Sequence, residues 1–217
     1  MNELLSKVDH TLLSITATEA EFETLCAEAI KYNVACVCVP PSRVTYCTDL
    51  LAGKIAVCTV VGFPTGYSAV KAFEAETAIR HGATEIDMVI DIGRAKEGSF
   101  DYVLEDISDV RKATWGHCLK VIIETAVLTE DEIIRLCGIV SESGADFIKT
   151  STGFSTGGAT CEDIIMLRKH SAAHVKVKAA GGITTLETAQ EFIRLGADRL
   201  GTSRIVKLVQ GLEGSGY

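Results

Sequence analysis

Gly82-Ala83-Thr84-Glu85-Ile86-Asp87, Gly144-Ala145-Asp146-Phe147-Ile148-Lys149 and Gly196-Ala197-Asp198-Arg199-Leu200-Gly201 are three copies of one pattern, and their spacing decides the fold. In each copy a glycine stops a helix and leads into a short apolar strand. Successive copies lie about two βα units apart, which puts them on alternate strands. In a (β/α)8 barrel, alternate strands feed side chains into the same interior layer. The sixth position, held by Asp87, Lys149 and Gly201, is therefore expected to be equivalent in the three copies, with Asp87 and Lys149 facing each other.

Outward from these copies, strand and helix alternate along the chain. Continuous apolar runs at 34–39, 55–61, 86–90, 119–123, 147–148 and 175–180 suit strands buried on both faces. Residues 7–10 and 199–201 supply a first and a last strand, closing the count at eight. Between the runs, Phe100, Val103, Leu104, Ile107 and Val110 recur at helical spacing, as do Leu186, Ala189, Phe192 and Ile193. Capping boxes are expected at Thr16 with Glu19, Thr129 with Glu132 and Thr184 with Glu187. The fold class is α/β, a single (β/α)8 TIM barrel over 1–217 that ends in a flexible glycine-rich tail, 211–217. An open doubly wound sheet is the competitor, but the Gly-x-Gly-x-x-Gly after its first strand is missing.

The 217 residues carry a formal charge of −8 and are 47% hydrophobic. That excess of acid argues against nucleic acid as a partner, which calls for clustered Lys and Arg. No basic leader or apolar stretch of about 18 residues is present, so a cytoplasmic location without membrane association is expected. The 8 cysteines fall mostly inside apolar segments and read as core residues. Cys36-Val37-Cys38 is read as pointing its two thiols to opposite faces of a strand. His170 and His174 flank a turn and do not read as metal ligands.

Two lysines end buried strands: Ile148-Lys149-Thr150-Ser151-Thr152-Gly153 and Val177-Lys178-Ala179-Ala180-Gly181-Gly182. Burial and a second ammonium nearby both favour the neutral, nucleophilic amine. With Asp9 and Asp87 they form a constellation suited to imine chemistry and proton transfer, or a set of internal salt bridges. Glycine loops follow the late strands at Gly153, at Gly181-Gly182 and at Gly201-Thr202-Ser203, as in barrel sites that hold phosphate on backbone N–H groups. Arg204 is a further donor for an anion. The hydroxyl run Thr150-Ser151-Thr152 either orients a substrate or ends a strand.

Across Lys7-Val8-Asp9-His10-Thr11-Leu12, Glu85-Ile86-Asp87, Leu119-Lys120-Val121-Ile122-Ile123-Glu124-Thr125, the block from Gly144 to Phe154 and Lys178-Ala179-Ala180-Gly181-Gly182-Ile183, the chain resembles the deoxyribose-phosphate aldolase family. The resemblance implies a class I aldolase that cleaves 2-deoxy-D-ribose 5-phosphate to D-glyceraldehyde 3-phosphate and acetaldehyde. It implies Lys149 as Schiff-base nucleophile, Lys178 as the ammonium that tunes it, Asp87 as proton donor and acceptor, and Asp9 as a substrate-side carboxylate. Substrate contacts are expected from Thr150, Gly153, Gly181, Gly182, Gly201, Thr202 and Ser203. No metal or cofactor is implied beyond the covalent imine, and a homodimer is expected. A terminal tyrosine in relatives suggests that Tyr217 assists protonation of the enamine. Phe154 and Thr184 stand where some relatives carry cations, so phosphate is expected to rest on backbone amides and a helix N-terminus. The alternatives are a transaldolase-like enzyme and a non-catalytic barrel that binds phosphate metabolites.

Overall fold

Eight short parallel strands close on themselves in sequence order, each pairing with the next and the last with the first. They are β1 (Val8–Thr11), β2 (Cys36–Val39), β3 (Ala56–Val61), β4 (Glu85–Val89), β5 (Cys118–Ile122), β6 (Phe147–Lys149), β7 (Lys176–Ala180) and β8 (Arg199–Thr202). The computed structural model describes residues 2–211. Ten α-helices are present among them: α1 (Asn2–Leu5), α2 (Glu19–Tyr32), α3 (Val44–Leu51), α4 (Ser68–Arg80), α5 (Ile92–Lys96), α6 (Phe100–Ala113), α7 (Glu130–Glu142), α8 (Cys161–His170), α9 (Leu186–Arg194) and α10 (Ile205–Val209). This is the (β/α)8 barrel that the three-copy pattern requires, with each strand within two residues of its expected limits. The expected tail lies outside the described residues except for Gly211, and Tyr217 lies outside them.

The strands read as unbroken apolar runs because both of their faces are covered. Val37 and Val39 of β2 join the main core beneath the helices, packed with residues such as Phe22 and Leu25 of α2. Cys36 and Cys38 turn inward and pack with Cys58, Val60 and Leu13 in a second cluster. The expectation that these two thiols face opposite ways is thus corrected. Strand side chains alternate with a period of two, so residues i and i+2 share a face. All eight cysteines are free thiols.

Helix starts follow the capping logic, at partly different positions. Thr129 and Glu132 form the expected box, with Thr129 N donating to Glu132 Oε2 at 2.7 Å. At α2 the box is Thr18 with Glu21, not Thr16 with Glu19. Thr16 instead exchanges a hydroxyl contact with Ser14 at 3.0 Å. At α9 the N-cap is Thr185, whose hydroxyl accepts from Thr188 N at 3.1 Å. In both places neighbouring hydroxyls compete, and the one adjoining the first helical residue takes the cap. Thr160 and Asp163 form a further box at α8. None of the helices among the described residues is long and apolar enough to cross a membrane.

Candidate active site

Asp87, at the middle of β4, gathers the charged residues of the barrel interior. Its Oδ2 accepts from Lys149 Nζ at 2.8 Å and from Lys178 Nζ at 2.7 Å. Its Oδ1 accepts from Lys120 Nζ at 2.9 Å and from the Cys58 thiol at 3.1 Å. The register makes this possible. Asp87 pairs across to Lys120 on β5, and Lys149 pairs with Lys178 on β7, so these side chains share the inner face. Asp87 and Lys149, on alternate strands, meet as the repeat predicts.

A deeper layer supports the first. Asp9 on β1 is fully buried and lies 2.5 Å from Lys178 Nζ, with Arg199 of β8 bonded to its other oxygen. Arg199 also donates to Glu85 at 2.8 Å, and Glu85 lies 2.5 Å from Lys120 Nζ. The charges are Asp9, Glu85 and Asp87 against Lys120, Lys149, Lys178 and Arg199.

Burial alone raises the Asp87 carboxyl, yet Lys120, Lys149 and Lys178 outweigh it and hold the group well below the usual carboxylate range. Asp9 is likewise penalised by burial but pulled down to about 2 by Lys178, Lys120 and Arg199. Lys178 and Lys120 go the other way. Desolvation disfavours their charge, and the surrounding carboxylates more than restore it, leaving both well above the ordinary lysine value.

Lys120 is the member of this cluster that the sequence reading did not single out. The signal was present, a lysine inside the apolar run 119–123; it sits in mid-strand, as Lys178 does in β7 despite the expectation that Lys178 ends its strand, but no glycine loop follows its run. Among the described residues two donor sets come close enough to ligate a cation: Cys36, Cys58 and Glu85, and Cys38, Cys58 and Asp87. Lys120 Nζ lies 3.3 Å from the Cys58 sulfur and also contacts Asp87 and Glu85. The Lys120 ammonium thus touches two of the three donors in each set.

Above the lysines opens a cavity of about 260 Å³, with Lys149 in its wall. Gly153, Gly181, Gly182, Gly201, Thr202 and Ser203 all line it, as the sequence indicates, and so does Arg204. The backbone N–H groups of Gly153, Gly182 and Ser203 make no bond to another described residue. Gly157 and Gly158 also line it and were not anticipated. A Cβ on Gly158 would stand 2.4 Å from the carbonyl carbon of Gly181, so two bare backbones pack against each other here. Gly201 is bare for a related reason: a Cβ there would stand 3.1 Å from Lys178 Cε.

Three expectations are revised by position. Thr150 does not border the cavity; its buried hydroxyl donates to Ala180 O at 3.2 Å and accepts from Ala180 N at 3.1 Å, tying β6 to β7. Asp9 lies beneath Lys178 and not in the cavity wall. The helix after the β8 loop, α10, is only 5 residues long with Arg204 at its N-cap, so loop amides and the Arg204 side chain are the available anion donors. Phe154 packs edge-on against Phe63, centroids 5.3 Å apart, joining the loops after β3 and β6.

A profile of the DeoC/LacD family of aldolases matches residues 4–212. A deoxyribose-phosphate aldolase of Streptococcus pyogenes is 54% identical over 212 residues, covering 97% of this chain and 95% of the relative. The enzyme of that name from Streptococcus agalactiae is 53% identical over the same shares. Among solved structures, the deoxyribose phosphate aldolase of Aeropyrum pernix, described as a unique tetramer, has a TM-score of 0.90 and 32% identity, covering 97% of this chain and 91% of that one. Orotidine 5'-phosphate decarboxylase of Pyrococcus horikoshii shares the fold alone, with a TM-score of 0.63, 13% identity and 88% of each chain covered. The chain therefore belongs to the DeoC/LacD family of aldolases.

Proposed function

We propose that this barrel cleaves 2-deoxy-D-ribose 5-phosphate reversibly to D-glyceraldehyde 3-phosphate and acetaldehyde through an imine on Lys149. The observation that carries the reading is the shared Asp87 oxygen: a lysine in the cavity wall and a fully buried lysine bind the same carboxylate, beside a loop set with free amides. Free Lys149 attacks C1 of the open-chain aldehyde, and loss of water gives a protonated imine. The imine nitrogen then accepts the electron pair of the C2–C3 bond as a base takes the proton of the C3 hydroxyl. Asp87, held ionised, with Lys178 held charged beside it, forms the proton-transfer pair. Glyceraldehyde phosphate leaves, the enamine is protonated at C2, and water releases acetaldehyde. The covalent imine is the electron sink, so the step itself calls for no metal or cofactor.

The phosphate is assigned to Gly153, Gly182 and Ser203 amides with Arg204 beside them. Borohydride reduction in the presence of acetaldehyde tests the reading: a mass increase at Lys149 is expected, and it should vanish in Lys149→Met. No adduct at Lys149 defeats the imine mechanism and leaves a binding barrel. Turnover of ketose donors would replace the substrate with that of a transaldolase-like enzyme.

A further inference from the structure

Glu124 stands two residues after the end of β5 with φ 60 and ψ 63, the left-handed region that residues with a side chain avoid. It is almost wholly buried. Its Oε2 accepts from Thr152 N at 3.1 Å, across the gap from β5 to the loop after β6. Its Oε1 is buried and bonds to no other described residue. On either side, Ile123 N donates to Lys149 O at 3.1 Å and Thr125 N to Thr150 O at 2.9 Å. The segment 123–125 is thus fastened to 149–152 at three successive points, and Glu124 supplies the only side chain among the three.

Strained backbone and an unpaired buried oxygen both disfavour the folded state, so packing stability alone does not account for this residue. The contact it secures has a chemical consequence. Thr152 N–H is occupied by the carboxylate, and Phe154 N–H is occupied by the Thr152 hydroxyl at 3.1 Å. The amide left between them is that of Gly153, in the cavity wall at φ 84. We infer that Glu124 is a positioning residue for the anion loop: its left-handed turn swings the carboxylate onto Thr152 and so fixes the Gly153 amide for the substrate's phosphate. The inference rests on the aldolase reading for the identity of the substrate. Glu124 does not line the cavity and touches no reacting atom in this account.

The test separates phosphate recognition from imine formation. Glu124→Gly removes the carboxylate and suits the left-handed backbone, while Glu124→Gln keeps an oxygen that accepts from Thr152. In Glu124→Gly, the KM for 2-deoxyribose 5-phosphate and the calorimetric Kd for inorganic phosphate should both rise about tenfold, the scale of a misplaced binding group. Borohydride trapping of acetaldehyde at Lys149, which needs no phosphate contact, should stay within about twofold, and Glu124→Gln should recover most of the phosphate affinity. Should Glu124→Gly not fold, Glu124→Asn reads the same contrast, being one methylene shorter and tolerant of this backbone. Unchanged phosphate affinity overturns the inference, and so does an equal loss of phosphate affinity and trapping. If the unmutated chain gives no acetaldehyde adduct, it is the aldolase reading that fails, and the phosphate Kd still decides the role of Glu124.

Discussion

Lys120→Met removes one charge from the barrel interior while nearly conserving side-chain volume, so its effect isolates electrostatics from packing. The ammonium lies 2.5 Å from Glu85, 2.9 Å from Asp87 and 3.3 Å from the Cys58 sulfur. At about 3 Å and an effective dielectric of about 20, one such charge pair amounts to roughly 5 kcal/mol before desolvation is counted. Relief of the lysine's own burial offsets part of this, and breaking a buried pair leaves a net loss of about 3–5 kcal/mol. For a chain of this length that corresponds to a fall of roughly 10 °C in melting temperature. The functional effect follows from Asp87, which loses the first of the three charges, Lys120, Lys149 and Lys178, that hold its carboxyl ionised against burial. The kcat/KM near neutrality should drop about a hundredfold, equivalent to about 2.7 kcal/mol, and recover partly as the pH is raised. Thermal unfolding followed by circular dichroism, and release of glyceraldehyde phosphate measured from neutral to alkaline pH, provide the two readings. A variant that melts within about 2 °C of the parent and keeps its pH profile refutes the electrostatic reasoning.

Two further outcomes are expected. The stabilisation that Asp9 gains from its cations is present above its unfolded value of 3.8 and is lost as pH falls toward about 2, on the order of 2 kcal/mol; acid titration of stability should show this fall, reduced in Asp9→Asn. Lys120 and Lys178, raised above 10.5, contribute fully below that value and lose their stabilisation only as pH rises past it, so this acid-range fall belongs to the carboxylate and not to them. Gly158→Ala drives a methyl into the backbone at Gly181 and Gly182, 2.4 and 2.5 Å away. Displacing the loop should raise the KM for the phosphorylated substrate about tenfold or more while acetaldehyde trapping at Lys149 stays within about twofold; an unchanged KM would show that the two loops yield independently.

What the sequence made legible, and what it hid, divides along the distance over which each feature is decided. The barrel was legible because strands covered on both faces are unbroken apolar runs and the three-copy pattern sets their alternation. Lys149 was legible because a charge at the end of such a run has few structural explanations, Asp87 because the three-copy pattern sets it level with Lys149, and Lys178, although it lies in mid-strand, because glycines follow its run. Lys120 was not, since its partners Glu85, Asp87 and Cys58 come from strands that become neighbours only when the sheet folds. Gly157 and Gly158 escaped notice for the same reason: their need for bare backbone comes from Ala126 and from Gly181 respectively, which arrive from other loops. Thr150 presented a hydroxyl at a strand end, and only the pairing with Ala180 shows that it is spent inside the sheet. The inward face shared by Cys36 and Cys38 was within reach of the sequence, because it follows from strand periodicity alone.

The third copy of the opening pattern carries a glycine where the other two carry an acid and an amine, and the 3.1 Å approach to Lys178 Cε gives this a meaning for descent. If the three units diverged from one ancestral unit, they could not all keep a working side chain at the same station, because the barrel has room for the long arm of Lys178 only where a neighbour has withdrawn. Asymmetry among the copies would then be a condition of activity and not a sign of decay. A redesign that restored likeness between the repeats would lose the amine it meant to reinforce.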